Sequence, residues 1–130
     1  MSTHFLRDCQ QSPEAEWSLT DAATGAVIAP TLLTAFDRDR RNRGLLGRDD
    51  LPAGHALVLA PCSGIHTFFM RFALDVVFVS RDGEVLKVRR HLRPWRLAIC
   101  PGALAVVEFA AGGAGVLNAD CRCPQGTGAT

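Results

Sequence analysis

Hydrophobic and polar positions alternate in short blocks along most of the chain, and turns bearing glycine or proline separate the blocks. Glu16 to Asp21 alternates apolar and polar residues, and Ala26-Val27-Ile28-Ala29 follows after Ala22-Ala23-Thr24-Gly25. Two short strands about a glycine-containing turn predict a hairpin. His55 to Ala60 reads as a strand ended by Pro61. The longest apolar run, Cys62 to Val79, divides into a loop-like segment from Cys62 to about Thr67 and strand material on either side of Phe72-Ala73. Arg81-Asp82-Gly83 predicts a tight reversal, because Asp-Gly supplies the positive φ such a turn needs. Its return strand, Glu84 to Arg89, sets Leu86 and Val88 opposite Val85, Lys87 and Arg89, so that one face is wet. Leu97 to Cys100 is a further short strand, Pro101-Gly102 turns it, and Ala103 to Phe109 returns. Ala110 to Gly115 is small and flexible, and Val116-Leu117 begins one last strand.

One segment breaks this rhythm. Pro30-Thr31 suits a helix mouth, Leu32 to Arg43 is the best helix candidate, and Gly44 suits a left-handed stop. Its apolar residues are confined to Leu32, Leu33, Ala35 and Phe36, so such a helix docks by its first half only. The expected fold is mainly β (α+β): a small single-domain β-sandwich or partly closed barrel, mostly antiparallel, with one helix at about 31–43. Residues 1–15 read as an N-terminal extension, 16–123 as a single β-rich domain and 124–130 as a flexible tail.

Composition narrows the partners. The 130 residues are 48% hydrophobic and 21% charged, ordinary values for a chain that buries a core. The net charge of +1 gives no general case for nucleic acid. Arg38, Arg40, Arg41 and Arg43 alternate with Asp37 and Asp39, which blunts any such field and reads as a solvated helix face. No apolar segment approaches the roughly 18 residues of a membrane span. The first residues have no apolar core of a secretory signal, so the expected location is cytoplasmic. Five cysteines form no regular framework, which suits a reducing compartment.

The candidate chemistry lies in and around the long apolar run. Asp75 stands between Leu74 and Val76-Val77-Phe78-Val79, where an isolated carboxylate costs several kcal/mol and must be paired, hydrogen-bonded or exposed. Arg89 or Arg96 is the expected partner, since Arg71 lies roughly 13 Å away along an extended strand. His66 is a candidate ligand or general base, or a histidine whose ring bonds backbone carbonyls. Cys62, His66 and Met70 would line up on a helix as a soft-metal face, but the valine and phenylalanine content favours strand, where Met70 is core filling. Cys121-Arg122-Cys123 is half a zinc site without a second pair at ligand spacing. Arg90-His91-Leu92-Arg93-Pro94-Trp95-Arg96 is a basic loop that either grips an anion or lies solvated with Trp95 as a lid.

From Leu57 to Phe78, through Cys62-Ser63-Gly64-Ile65-His66-Thr67-Phe68-Phe69-Met70 and the downstream Leu74-Asp75, the sequence resembles the family known as domain of unknown function 192. Arg43-Gly44-Leu45-Leu46-Gly47-Arg48, Pro94-Trp95-Arg96 and Val107-Glu108-Phe109-Ala110-Ala111-Gly112 fit the family pattern in the same order. The resemblance covers roughly residues 17 to 120. It departs from the pattern at Ala73, where the family usually has proline, and at Asp120-Cys121-Arg122-Cys123. It implies a compact, mainly β domain with one helix, and it implies no activity.

The leading expectation is a non-enzymatic binding module. Its cleft would lie near His66, Met70, Arg71 and Asp75, with Trp95, Arg96 and Glu108 on the rim, and hold a small polar ligand or a protein segment. No cofactor, metal, nucleic acid or membrane partner is expected. One alternative is an enzyme using His66 and Asp75 as an acid–base pair or Cys62 as nucleophile. The other is a metal site built from Cys62, His66 or the Cys121/Cys123 pair.

Overall fold

The computed structural model describes residues 6, 11, 16–21, 25–115 and 126–128. Nine strands are present among them: β1 Trp17–Thr20, β2 Val27–Ala35, β3 His55–Leu59, β4 Gly64–His66, β5 Leu74–Val79, β6 Val85–Leu92, β7 Leu97–Ile99, β8 Ala105–Ala110 and β9 Gly126–Gly128. Seven form one sheet in the order β6-β5-β8-β3-β2-β1-β9, and β4 with β7 forms a second, two-stranded sheet. Every pairing is antiparallel except β2 with β3, which run parallel from Thr31 beside His55 to Ala35 beside Leu59. The expected β-rich domain is present, but its strands do not close into a barrel, because β6 and β9 remain ends of the large sheet.

The centre of the large sheet is buried on both faces, which explains why β5 and β8 read as nearly unbroken apolar runs. Val77 and Val79 on β5, Val107 and Phe109 on β8 and Val58 on β3 face one core with Trp17, Leu19 and Leu6. The alternate residues Leu74, Val76 and Phe78, with Val106, Leu57 and Leu59, face the other. Burial of an aliphatic or aromatic side chain of this size stabilises by about 1.5–3 kcal/mol, so both layers hold the central strands in one register. A slip of one residue would exchange the two faces and place Asp75 and Glu108 in the wrong layers.

The hairpins expected at residues 16–29 and 80–84 form as β1–β2 and β5–β6, with Gly83 at φ 87° in the second turn. The helix does not span 31–43. Residues Thr31 to Ala35 are the second half of β2, and only Arg38–Arg43 is helical, here α1. Parallel pairing with β3 draws Leu32, Leu33 and Ala35 into the sheet, a long-range contact that local propensity does not contain. Asp37 is then the N-cap, its carboxylate accepting the Arg40 N–H at 2.7 Å, and Gly44 at φ 48° ends the helix. The expected strand at Val116-Leu117 lies outside the described residues.

Candidate functional site

The second face of the sheet carries a carboxyl that its own strand cannot satisfy. Glu108 on β8 shares the side of Val106, opposite Val76 of β5 and Leu57 of β3. It is 5% exposed. Its carboxyl makes no hydrogen bond or ion pair with any described residue. Burial pushes its pKa up from 4.5 to about 7, because taking the charged form out of water disfavours ionisation.

The space it faces is a cleft of about 300 Å³. Leu59, Met70 and Leu74 form its buried apolar part, and α1 with the Gly44-Leu45-Leu46 turn forms one wall. This turn tucks into the core through Leu45, which is buried. Arg41, Asn42 and Arg43 of α1 reach the mouth. Arg41 is steadied there by donating from Nη1 to the Phe36 carbonyl at 2.7 Å. The solvated arginine face expected from sequence therefore contributes Arg41 and Arg43 to the lining of the cleft.

Cys62 enters from the end of β3. Its amide donates to Leu104 O at 2.8 Å and its thiol donates to Gly64 O at 3.1 Å. Burial raises the thiol pKa and the neighbouring Glu108 adds to the rise, while the Gly64 backbone and the Arg41 charge oppose it. A thiol held in this way is a poor nucleophile near neutral pH. β4, paired with β7, carries His66 over the cleft from the other side. His66 Nδ1 accepts the Phe68 N–H at 3.2 Å. The ring proton is thereby assigned to Nε2, leaving it as a donor.

Of the residues singled out by sequence, the cleft brings together Cys62, His66, Met70 and Glu108 and leaves Arg71, Asp75, Trp95 and Arg96 outside. Asp75 is 1% exposed but sits opposite Phe109, on the sheet face away from Glu108. Its oxygens accept the N–H groups of His91 at 2.9 Å, Gly112 at 2.9 Å and Ala114 at 3.2 Å. Its nearest cation is Arg90 at 3.9 Å, not Arg89 or Arg96. An acid–base pair of His66 with Asp75 is not formed, and Asp75 is a structural acceptor. Arg71 is exposed and bonded to Asp49 at 2.6 Å. Trp95 stacks with Phe68, which in turn stacks on His66, so it lies beside the cleft and does not line it. Arg96 anchors its backbone N–H on Thr67 Oγ1 at 2.9 Å and lines a separate basic groove with Arg93.

Sequence reasoning did not anticipate Arg41, Asn42, Arg43 and Leu59 as cleft residues. Among the described residues no three His, Cys, Asp or Glu side chains converge as a metal set. Cys121 and Cys123 lie outside the described residues. No helix among the described residues is long and apolar enough to cross a membrane.

Solved structures share this fold at low sequence identity. One, from Sinorhizobium meliloti 1021 and provisionally described as a transcription regulator, superposes with a TM-score of 0.72 at 19% identity, covering 86% of this chain and 92% of its own. Another, a protein of unknown function from Novosphingobium aromaticivorans DSM 12444, gives 0.68 at 20% identity, covering 84% and 81%. No curated protein matches the sequence. With the two-faced sheet, the β4–β7 flap and the motif segments in place, and with residues 20–120 matching the family described as "Uncharacterized ACR", the chain belongs to the DUF192 family.

Proposed function

We propose that the chain is a non-enzymatic binding module whose cleft takes a small polar ligand against Glu108. One observation carries the proposal: a carboxyl that is 5% exposed and has no partner among the described residues faces a cavity large enough for a small molecule. No buried side-chain oxygen or nitrogen among the described residues is left without a partner, so the Glu108 oxygens open onto the cleft, where a ligand's donor can reach them. The lining states what fits. A hydrogen-bond donor or cationic nitrogen meets Glu108, and an apolar stem lies along Ile65, Leu59, Met70 and Leu74. An acceptor or anionic end meets Arg41, Arg43 and the His66 Nε2–H. The cavity is at the small end of ligand pockets, so the ligand is metabolite-sized.

Catalysis has weaker support, since Cys62 is held as a thiol and His66 has no carboxylate partner among the described residues. A regulator's contact with nucleic acid is likewise weakly supported. α1 has six residues, too short to fill a major groove as recognition helices do, and its arginines alternate with aspartates. The test is a thermal-shift screen of small polar compounds against the wild-type chain and Glu108→Gln. The reading expects compounds that raise the wild-type melting temperature and lose that effect in the variant. A screen without stabilising compounds, or equal shifts in both proteins, contradicts it.

A further inference from the structure

We infer that the outer face of the β4–β7 sheet, with the loops flanking it, docks an extended partner-protein segment that is apolar at its centre and acidic around it. This surface meets the Glu108 cleft at His66, which lines the cleft as well, but the docking does not depend on Glu108. In β7, Ala98 turns into the core, while Leu97 and Ile99 point outward at 59% and 58% exposure. His66 lies directly opposite Leu97, and Gly64 opposite Ile99. Phe69 at 71% and Trp95 at 55% exposure extend the face. Ring contacts link it continuously, from His66 to Phe68 at 4.9 Å, Phe68 to Trp95 at 5.9 Å and Trp95 to Phe69 at 4.6 Å. A contiguous apolar face of this kind on a folded domain marks an interaction site far more often than scattered surface residues do.

The backbone carries a second, independent mark. Phe69 and Trp95 both have positive φ, 66° and 67°, a region costly for bulky residues. One fully buried residue, Thr67, holds both turns in place. Its carbonyl accepts the Met70 and Trp95 N–H groups at 3.2 and 2.9 Å, and its own N–H donates to Arg96 O at 2.8 Å. Its hydroxyl donates to Arg93 O at 2.6 Å and accepts from Arg96 N at 2.9 Å. The outcome of this strained, over-determined arrangement is that two large aromatic rings face outward instead of packing inward.

Charge selects the occupant. From Val85 to Pro101 the chain carries Lys87, Arg89, Arg90, Arg93 and Arg96 and no Asp or Glu. Arg89, Arg93 and Arg96, with Arg90 already paired to Asp75, line a groove of about 270 Å³ beside Trp95. Guanidinium groups in this setting recognise carboxylates. Leu97 and Ile99 offer a polyanion nothing, whereas a peptide's apolar side chains cover them. Among the described residues β4 and β7 pair only with each other; Lys87 Nζ bonds the Ile99 carbonyl at 3.1 Å, and the rest of the outer edge is left for an extended segment to join.

The test is isothermal titration calorimetry of the full chain against synthetic peptide sets: Leu/Phe/Val centres with Asp/Glu flanks, the same centres with Lys flanks, and Ser centres with Asp/Glu flanks. Only the first set should bind, and its affinity should fall as salt is raised. Phe69→Gly and Trp95→Gly relax the positive φ, so both should fold with unreduced melting temperatures yet bind at least about tenfold more weakly. Arg93→Glu with Arg96→Glu should do the same, and Glu108→Gln should bind as wild type. The inference is overturned by no binding in the first set, by equal binding of the Lys-flanked set, or by undiminished binding in Trp95→Gly. Tighter binding of a single-stranded oligonucleotide, or self-association of the chain that Trp95→Gly abolishes, overturns it as well.

Discussion

Replacing Glu108 by Gln should make the protein more stable at pH 8 and leave it nearly unchanged at pH 4.5. The carboxyl titrates at about 7 in the folded chain against an ordinary 4.5, with burial as the cause. Between those two values the folded chain holds a proton that the unfolded chain has already released. Stability therefore falls as pH rises through this window and levels off above it. At 1.36 kcal/mol per pH unit of displacement, the full effect is about 3 kcal/mol. Gln keeps the shape, cannot ionise, and should recover that amount at pH 8, roughly 10 °C in melting temperature for a domain of this size. The assay is urea denaturation of both proteins from pH 4.5 to 8, taking the difference at each pH so that all other titrating groups cancel. A difference that stays flat with pH, or a variant destabilised at pH 8, would refute the reasoning, because Glu108 would then have a partner in the folded chain.

Three further outcomes follow from the geometry. Asp75→Asn replaces a carboxylate that accepts three backbone N–H groups and should cost about 2–4 kcal/mol in chemical denaturation; a loss under about 1 kcal/mol would mean that the loop at Gly112 to Ala114 does not need it. Thr67→Val removes the hydroxyl shared by Arg93 and Arg96 and should cost about 1–3 kcal/mol, with Thr67→Ser recovering most of it. Labelling of Cys62 by a thiol reagent in a Cys100→Ser background, read as peptide-mapped modification against pH, should show a midpoint above that of a free cysteine. A midpoint below it would revive Cys62 as a nucleophile.

The strands were legible in the sequence because alternation, Asp-Gly and Pro-Gly report local geometry. The segment from Thr31 to Ala35 was not, because what makes it a strand is a parallel partner, β3, more than twenty residues on. Asp75 announced that it needed partners, but they came from the small-residue stretch at Gly112 and Ala114, whose only visible property in sequence is flexibility. The cleft was half visible. Glu108 in Val-Val-Glu-Phe is as anomalous as Asp75, and the same logic marks both as buried carboxyls. Their separation onto opposite faces depends on register, Asp75 against Phe109 and Val76 against Glu108, which no single segment encodes. Arg41 reaches the site from a helix that starts late, at Arg38, because Thr31 to Ala35 is drawn into the sheet.

The claim that this cleft is a binding site rests on Glu108 being unpaired in the free protein and paired when a ligand is present. Carbon-13 NMR of the Glu108 carboxyl, followed against pH with and without a compound that stabilises the chain, measures that directly. The account predicts a midpoint near 7 in the free protein that moves when the compound is added. A midpoint near 4.5, indifferent to the compound, would contradict it.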